Sequence, residues 1–407
     1  MNKWQTIRAD KFCFDVTDGT HDSPKPQSFG RKLITSKHLK GYYIDFDSAN
    51  WISEADYKKV ITRSHVEQWD ILYSMIGTIG NMYLEKNPVV DYACKNMGIF
   101  KFNGNKNDAY WMYYYLKSPQ AISYINSHLR GSTQSYVPLG GLREMPVPVP
   151  TIEIRQSIIG ILRSIDDKIE NNQKIKVNLL KQLTVVYKSW YRDFSLVKDS
   201  DFVDTEYGKV PHGWKYTLLG DLCQSVSVKH KFNKEELIFL NTGDIEDGRF
   251  LHSNYMTVKD MPGQAKKTIA PGDILYSEIR PINRHFAYVN IPSDDYVVST
   301  KLMVIRAKNI DSRRLYHYLT SDDILIELQH QAESRSGTFP QIRFENVSRL
   351  PILIADEQTE SKFTDMLHCV YDQIDHINSE NEKLAEFRDS ILPKLMTGEI
   401  DVSSIRF

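Results

Sequence analysis

The chain has 407 residues, of which 41% are hydrophobic and 25% are charged. This composition is that of a globular protein with room for two or three hydrophobic cores, and it excludes a chain that is disordered throughout. The formal net charge of −1 excludes a strongly basic protein that coats nucleic acid by charge alone.

The four cysteines, Cys13, Cys94, Cys223 and Cys369, are far apart in the sequence. None belongs to a CxxC pair, which argues against a zinc ribbon, and their spacing indicates no disulfide framework. The first residues contain no apolar leader, and no segment approaches about 20 consecutive apolar residues. From the sequence we therefore expect a soluble, cytoplasmic protein that does not enter a membrane.

Residues 1–150 are predicted to form a first globular module of strands and helices. Strand-like runs at 32–35 and 70–73 are separated by turn residues, and a helix is predicted around 109–118. The aromatic run at 110–115 could suggest stacking on bases, but its position within a helix favours a packed helix face.

A long helix is predicted for residues 151–192. The chain reaches it through Pro146-Val147-Pro148-Val149-Pro150, which we expect to be extended and to stop any strand or helix. Apolar residues then recur at alternating steps of four and three, which is the spacing of a coiled-coil seam. They are Ile158, Leu162, Ile165, Ile169, Leu179, Leu183, Val186 and Trp190. Asn172 and Lys176 interrupt the seam, and polar residues at such positions fix helix register at some cost in stability.

The second half of the chain follows the same order. The polar segment 193–213 is interpreted as a linker, 214–355 as a second module, and 356–407 as a second helix with a C-terminal tail. The apolar positions of this helix are Phe363, Leu367, Val370, Ile374, Ile377, Leu384, Ile391 and Leu395. Asn381 and Arg388 interrupt this seam.

An internal repeat relates the two halves. Asp70-Ile71-Leu72-Tyr73-Ser74 recurs 203 residues later as Asp273-Ile274-Leu275-Tyr276-Ser277, and Tyr115 recurs as Tyr318. The two helices match at a spacing of 205 residues. We therefore expect an α+β protein in which two long helices, paired as an antiparallel coiled coil, join two globular modules with pseudo-two-fold symmetry. Homodimerisation through these helices is the alternative that the helices alone leave open.

The sequence contains no recognisable catalytic motif. It has no GxxxxGK[ST] phosphate loop, no GxGxxG after a strand, no GxSxG elbow and no closely spaced histidines for a metal ion. Gly77-Thr78-Ile79-Gly80 is interpreted as a turn. Asn87-Pro88-Val89-Val90 lacks the second proline and the aromatic residue of an adenine methyltransferase loop. We therefore expect no catalysis by this chain alone and no bound metal.

Polar and basic loops at matched places in both modules are the candidate DNA-binding residues. Arginine pairs bidentately with guanine, glutamine with adenine, and Ser or Thr hydroxyls with bases or phosphates. In the first module the candidates are Thr20, His21, Lys25, Ser36, Lys37, Arg130, Ser132, Thr133, Gln134 and Tyr136. In the second module they are Arg280, Asn283, Arg284, Arg335, Thr338, Gln341 and Arg343. For each residue taken alone, a solvated loop is the alternative.

The loops that follow the repeated strand differ between the modules. Arg280, Asn283 and Arg284 lie in a region where the first module has Ile76, Ile79 and Met82. A repeated scaffold with different loops is what we expect if each module recognises its own DNA sequence.

Five segments carry a family resemblance. They are Asp18-Gly19-Thr20-His21, the proline-rich exit of the first module, Ile165-Asp166-Asp167-Lys168-Ile169-Glu170-Asn171-Asn172, Gly208-Lys209-Val210-Pro211-His212-Gly213-Trp214 and Leu392-Pro393-Lys394-Leu395-Met396-Thr397-Gly398-Glu399-Ile400-Asp401-Val402. Because these segments occur in this order together with the internal repeat, the chain resembles the specificity subunit of type I restriction–modification enzymes over its whole length. Asp356-Glu357-Gln358 has only a looser counterpart, Glu153-Ile154-Arg155-Gln156, after the first module.

The resemblance implies two target-recognition domains that each recognise one half of a bipartite, asymmetric site in double-stranded DNA. The coiled coil would set the length of the unread spacer and dock two methyltransferase subunits, and two restriction subunits would join the complex. The partner methyltransferase would bind S-adenosylmethionine for methylation at adenine N6, and the partner restriction subunit would bind ATP and Mg²⁺. This chain would bind no cofactor, and alone it should bind DNA weakly because of its near-neutral charge.

Two other functions stay open at this point. The first is a single-chain enzyme with an unrecognised nuclease or methylase site, which activity of the purified chain without partners would support. The second is a coiled-coil scaffold with no role in nucleic-acid binding. Charge reversal of Arg130 and Arg335 would then leave DNA binding by the assembled complex intact.

Overall fold

The chain divides into two compact units in a computed structural model that describes residues 4–197, 202–335 and 339–405. Unit 1 comprises residues 1–175 and 377–407, and unit 2 comprises residues 176–376. Each of the two 40-residue helices contributes residues to both units.

Unit 1 combines two small sheets with helices. Its strands are β1 Gln5–Arg8, β2 Asp15–Asp18, β3 Arg31–Ile34, β4 Asn50–Ile52, β5 Ile71–Ser74, β6 Met82–Leu84, β7 Ala93–Cys94, β8 Met97–Lys101 and β9 Pro146–Val149. Its helices are α1 Ala9–Phe12, α2 Glu54–Ser64, α3 Lys106–Leu116, α4 Pro119–Ser127, α5 Leu139–Glu144 and the first part of α6 Ile152–Tyr191. One sheet has the order β2-β8-β5-β6, the other has the order β4-β3-β7, and β1 pairs with β9.

Helix α3 forms the centre of the unit 1 core. It begins after Asn105, whose side chain accepts a hydrogen bond from the amide of Asp108, as is usual for an N-cap. Every residue from Ala109 to Leu116 is buried. The aromatic run is therefore packed inside the protein, which confirms the prediction of a packed helix and removes these rings from contact with bases.

The proline-rich exit of the first module is a β-strand, so the prediction that it would stop any strand was wrong. Strand β9 pairs antiparallel with β1, with Arg8 opposite Pro146 and Thr6 opposite Pro148. The carbonyls of these prolines accept hydrogen bonds from Tyr115 and Trp111 of α3 instead of from β1. Because prolines at alternate positions all face away from β1, their missing N–H groups cost no bond of the ladder.

Unit 2 repeats this topology. Its strands are β10 Phe202–Thr205, β11 Gly208–Pro211, β12 Lys215–Leu218, β13 Cys223–Val226, β14 Glu236–Leu240, β15 Ile245–Glu246, β16 Arg249–Phe250, β17 Tyr255–Thr257, β18 Ala265–Lys267, β19 Ile274–Ser277, β20 Phe286–Tyr288, β21 Tyr296–Ser299, β22 Leu302–Ala307 and β23 Pro351–Ile354. Its helices are α7 Leu219–Leu222, α8 Ser312–Leu319, α9 Asp322–Arg335, α10 Phe344–Ser348 and the first part of α11 Glu357–Met396. The sheet orders are β13-β22-β19-β20 and β17-β14-β21-β18, and β12 pairs with β23 as β1 does with β9. Strands β10 and β11 form a hairpin within the segment interpreted as a linker.

The two long helices pack antiparallel within each unit, as predicted. In unit 1, the Asn172 side-chain amide donates a hydrogen bond to Asn381 Oδ1 (2.8 Å), and Arg388 donates one to Asp166 Oδ1 (2.7 Å). In unit 2, Leu183 of α6 is buried in the same core as Phe363 and Leu367 of α11. The polar residues that interrupt the predicted seam are therefore paired with each other or with carboxylates in unit 1, which offsets the cost of burying them.

Candidate nucleic-acid interface

The strands of unit 1 direct several loops to one edge. Asp18 at the end of β2 lies opposite Gly98 of β8, and Ser74 at the end of β5 lies opposite Met97. Strands β3 and β7 of the other sheet are parallel, so their carboxyl ends also lie side by side. We call the loops that leave there, residues 19–30, 35–39, 75–81, 95–96 and 130–136, the unit 1 loop edge.

Hydrogen bonds join neighbouring loops of the unit 1 loop edge. The amide of Asn96 donates to Thr20 O (3.1 Å), and the amide of Lys95 donates to Ile34 O (2.9 Å). Asn81 Nδ2 donates to the carbonyl oxygens of Ser36 (3.3 Å) and Leu39 (2.8 Å). These bonds connect segments that are distant in the sequence, so the loops form a continuous polar surface.

The hairpin at 130–136 completes this surface. Arg130 and Tyr136 exchange backbone hydrogen bonds of 2.9 and 2.8 Å, and the amide of Val137 donates to Met75 O (2.9 Å). The hairpin is thereby held beside the turn that follows the repeated strand β5. Its side chains at 130–136 are all exposed to solvent.

Unit 2 has a corresponding edge that is also held together by hydrogen bonds between loops. The amide of Ile342 donates to Glu278 O (2.9 Å), as Val137 does to Met75 in unit 1, and the amide of Arg280 donates to Pro340 O (3.2 Å). His285 Nδ1 donates to Ile245 O (2.8 Å), at the place where Asn81 acts in unit 1. Residues 227–231, 241–245, 278–285, 300–301 and 339–343 are called the unit 2 loop edge.

All ten candidate residues of the first module lie on the unit 1 loop edge, and Lys25 and Lys37 are among the exposed ones. The His21 ring lies between two acceptors, with Nε2 2.9 Å from Asp18 Oδ2 and Nδ1 3.0 Å from Asn96 Oδ1. Its orientation is therefore set by neighbours at the same edge. That these residues contact DNA stays a prediction.

The candidates of the second module fall into different environments. Arg280, Asn283 and Arg343 are exposed, whereas Gln341 is half-buried in a backbone bridge with Ile279. Arg284 is bound to two carboxylates: Nε donates to Asp247 Oδ1 (2.9 Å) and Nη1 donates to Asp322 Oδ1 (2.8 Å). The remaining two candidates cannot be placed, since Thr338 is not among the described residues and Arg335 is described only in its backbone.

Sequence reasoning missed two residues at the centre of the unit 1 loop edge. Lys95 and Asn96 connect β7 to β8, and Asn96 has a left-handed backbone (φ 54) that asparagine tolerates better than most residues. Lys95 Nζ donates to the Ser23 hydroxyl. Only the neighbouring strands place these residues beside Thr20, because nothing in the spacing of 75 residues indicates contact.

Buried titratable groups support the loops. Burial lowers the pKa of His38, and its Nδ1 accepts a hydrogen bond from the amide of Thr35 (2.9 Å), so a neutral ring braces the turn that carries Lys37. Burial also lowers the pKa of Lys267, whose Nζ donates to the carbonyl oxygens of Thr300 (3.0 Å) and Leu302 (2.8 Å). These bonds hold the loop before β22 in place.

Within the described ranges, no group of three or more His, Cys, Asp or Glu side chains is arranged to hold a metal ion. Among the helices described, none is both long and apolar enough to cross a lipid bilayer. What each loop edge offers chemically is a set of arginine, lysine, hydroxyl and amide groups on a rigid sheet, which suits hydrogen bonding to bases and phosphates.

Comparison with known proteins agrees with this interpretation. The family model described as "Type I restriction modification DNA specificity domain" matches residues 28–181 and 211–386. The two matches therefore fall on the two halves of the internal repeat.

Two curated relatives carry related names. The type I restriction enzyme HindI specificity subunit of Haemophilus influenzae is 44% identical over 179 residues, which are 42% of this chain and 39% of that protein. The type I restriction enzyme MjaIX specificity subunit of Methanocaldococcus jannaschii is 25% identical over 418 residues, covering 98% of this chain and 94% of that protein. Among solved structures, the S subunit of a type I restriction–modification system from M. genitalium has the same fold, with a TM-score of 0.51, 16% identity and 96% coverage of both chains.

Proposed function

The chain belongs to the type I restriction–modification DNA specificity family, and on this basis we propose that each of its two loop edges recognises one half of a bipartite site in double-stranded DNA. One observation carries the proposal: the two loop edges are supported by an equivalent backbone hydrogen bond but present different side chains. The bonds from Val137 to Met75 and from Ile342 to Glu278 are equivalent, whereas the hairpin sequences that they support differ.

Base recognition requires directional groups whose positions are fixed before DNA arrives. A bidentate contact between arginine and guanine, or between glutamine and adenine, discriminates against a wrong base by about 1–3 kcal/mol. Arg130 and Gln134 project from a hairpin that is hydrogen-bonded to itself and to the strand β5 region. Exposed lysines such as Lys37 supply non-directional contacts to phosphates, which strengthen binding without selecting a sequence.

The chain itself performs no chemistry in this proposal. Two methyltransferase subunits dock on it and bind S-adenosylmethionine for methylation at adenine N6. Two restriction subunits, which bind ATP and Mg²⁺, join the complex. Helices α6 and α11 set the length of the DNA spacer that neither edge contacts. The net charge of −1 supports an arrangement in which these partners supply much of the positive surface around the duplex.

Sequencing of adenine methylation in cells that carry this chain with its partner methyltransferase tests the proposal. We expect methylation at a bipartite motif of two short half-sites. Replacing Arg130 and Gln134 together with alanine should change or abolish recognition of one half-site and leave the other unchanged. Lys209→Gln is the matched control, because Lys209 is exposed but lies on the β10–β11 hairpin, outside both loop edges.

Three results would count against the proposal. The first is methylation or cleavage of DNA by the purified chain in the absence of the partner subunits. The second is tight, sequence-specific DNA binding by the isolated chain at physiological salt. The third is an unchanged motif in the double variant. A scaffold without a role in DNA binding would give the same methylation motif with the Arg130/Gln134 double variant as with the wild type.

A further inference from the structure

The turn after the repeated strand begins and ends at equivalent places in both units, but in unit 2 it is one residue longer and contains a 3-10 helix at Pro281–Asn283. In unit 1, it passes through the left-handed region at Gly77 (φ 77) and Gly80 (φ 89). In unit 2, arginines have the left-handed backbone, namely Arg280 (φ 44) and Arg284 (φ 58).

The flanking contacts show that the first and last left-handed residues lie at corresponding ends of the two turns. Gly77 directly follows Ile76, which bridges to Tyr136, and Arg280 directly follows Ile279, which bridges to Gln341. At the other end, Gly80 directly precedes Asn81, and Arg284 directly precedes His285. The carbonyls of Asn81 and His285 accept the equivalent bonds from the amides of Ser74 (2.8 Å) and Ser277 (2.9 Å).

Glycine enters the left-handed region at no steric cost, whereas a residue with a Cβ atom loses stability there. Space alone does not require glycine in unit 1, since the nearest atom to a Cβ built on Gly77 is Ser36 Oγ at 3.9 Å, and on Gly80 it is the Tyr73 hydroxyl at 3.7 Å. Two arginines in one short turn are thus an unfavourable choice for the backbone. Non-glycine residues held in this region concentrate at functional sites, where the side chain has a role.

The side chain of Arg284 has partners within the protein. Its guanidinium binds Asp247 and Asp322, lies 5.4 Å from the centre of the Phe286 ring, and its carbonyl accepts a bond from the amide of Asp247 (2.9 Å). Arg284 therefore connects the turn to the β15–β16 hairpin and to helix α9.

The side chain of Arg280 has no such partner in the described part of the chain. Its side chain is exposed, and no described residue forms a hydrogen bond or ion pair with its guanidinium. Its backbone is nevertheless fixed, because its amide donates to Pro340 O (3.2 Å), its carbonyl accepts from the amide of Asn283 (2.9 Å), and Pro281 follows. The guanidinium thus starts from a rigid, strained backbone and points to no partner within the described chain.

We infer that Arg280 contacts a guanine in the half-site recognised by unit 2, and that Arg284 is the positioning residue that holds this turn. This inference rests on the proposed function. Guanine is favoured over phosphate because a phosphate contact needs only a flexible cation, which exposed lysines of the same edge such as Lys229, Lys231 and Lys301 already provide. A fixed, strained backbone is useful for a bidentate pair with guanine O6 and N7, whose geometry is directional.

The test is Arg280→Gly in the assembled complex with the methyltransferase subunits. Glycine keeps the left-handed backbone and removes both the strain and the side chain. We expect the melting temperature to stay the same or rise, while affinity for the cognate site falls about 10- to 100-fold. Preference for guanine at one position of the second half-site should disappear, and the sequence recognised in the first half-site should stay unchanged.

Two further variants separate the roles. Arg280→Ala removes the same contact but keeps the strain, so its recognition defect should equal that of Arg280→Gly without the gain in stability. Arg284→Gly should weaken recognition at several neighbouring positions of the second half-site, because the turn loses its anchor.

Two outcomes of Arg280→Gly would overturn the inference. The first is an unchanged base preference with weaker binding to all sequences and a smaller salt dependence, which identifies a phosphate contact. The second is unchanged affinity and unchanged methylation. In both cases the wild-type complex would still methylate a bipartite motif, so the proposed function would stand. If the proposed function itself were wrong, the wild-type complex would show no bipartite motif.

Discussion

The hydroxyl of Tyr318 donates a 2.6 Å hydrogen bond to the carbonyl oxygen of Pro351, and Tyr115 makes the equivalent bond to Pro146 in the other unit. The partners are 33 residues apart in one unit and 31 in the other. Helix and strand therefore keep this contact although the segments between them, which contain α4 and α5 in one unit and α9 and α10 in the other, differ in length by two residues. The change from a 203-residue to a 205-residue spacing in the repeat is located in these segments.

Replacement of Tyr318 with phenylalanine should destabilise unit 2. The carbonyl of Pro351 faces away from strand β12 and would lose its donor, at a cost of about 1 kcal/mol in the free energy of unfolding. Urea denaturation followed by tryptophan fluorescence measures this. Tyr207→Phe is the matched control, since that residue is exposed, and it should change the free energy by less than about 0.5 kcal/mol. Equal effects of the two substitutions would contradict the role assigned to the bond.

Replacement of Asn172 with leucine should destabilise the helix pair of unit 1. The Asn172 amide donates to Asn381 Oδ1 (2.8 Å) and to Glu380 Oε2 (2.6 Å), and both acceptors would be left without this donor. We expect a loss of about 2 kcal/mol. The double variant Asn172→Leu/Asn381→Leu should recover most of this stability, because two leucines fit an apolar seam.

The double variant should also lose specificity in helix pairing. Size-exclusion chromatography with light scattering should detect oligomers that the wild-type chain does not form, because a polar pair in a seam disfavours other registers and partners. A double variant as unstable as Asn172→Leu would show that the pair stabilises by its shape and not by hydrogen bonding.

His317 should make unit 2 sensitive to acid. Burial, and then the charge of Arg314, lowers the pKa of His317 to about 4 from 6.5. The unfolded chain therefore binds a proton at this residue as pH falls through about 6.5, while the folded chain stays neutral there until about pH 4. Stability should be lost over this interval by up to about 3 kcal/mol and should not fall further on account of His317 below it.

His317→Gln tests the assignment because glutamine is neutral at every pH. Urea midpoints measured from pH 7.5 to 4 should fall less for this variant than for the wild type. Other acid-sensitive groups contribute equally to both proteins, so the difference between the curves isolates His317. Parallel curves would contradict the lowered pKa.

Gly19→Ala should displace the first loop of the unit 1 loop edge. A Cβ atom on Gly19 would lie 2.6 Å from the carbonyl oxygen of Cys94, which belongs to strand β7 and cannot turn away. We expect a loss of about 1–3 kcal/mol in stability and weaker recognition of the half-site that unit 1 binds. Gly140→Ala is the control: Gly140 lies in helix α5 with no atom within 4 Å of its Cβ position, so alanine should stabilise by about 0.5–1 kcal/mol. Equal effects on the methylation motif would contradict the close approach.

The fold was predictable where it depends on local periodicity. The strand that begins at Ile71 and its repeat at Ile274 are short apolar runs between turns, and the α6 and α11 seams follow the heptad spacing. The strand β9 was mispredicted because proline argues against a strand when its neighbours are unknown. Here the pairing with β1 on one side, and the donors Tyr115 and Trp111 on the other, make proline acceptable.

The sequence by itself determined the internal repeat, the two long helices, the absence of familiar catalytic motifs and the family, because each depends on residues that are close in the chain or recur at a constant spacing. Only the tertiary structure decided which loops lie together, that Lys95 and Asn96 belong with Thr20, and that Arg284 is paired with carboxylates while Arg280 is exposed. The physical reason is that hydrogen bonds and ion pairs between loops form across strands that the sheet brings together. Asp247 and Arg284 are 37 positions apart, and the sequence between them contains no pattern that indicates their contact.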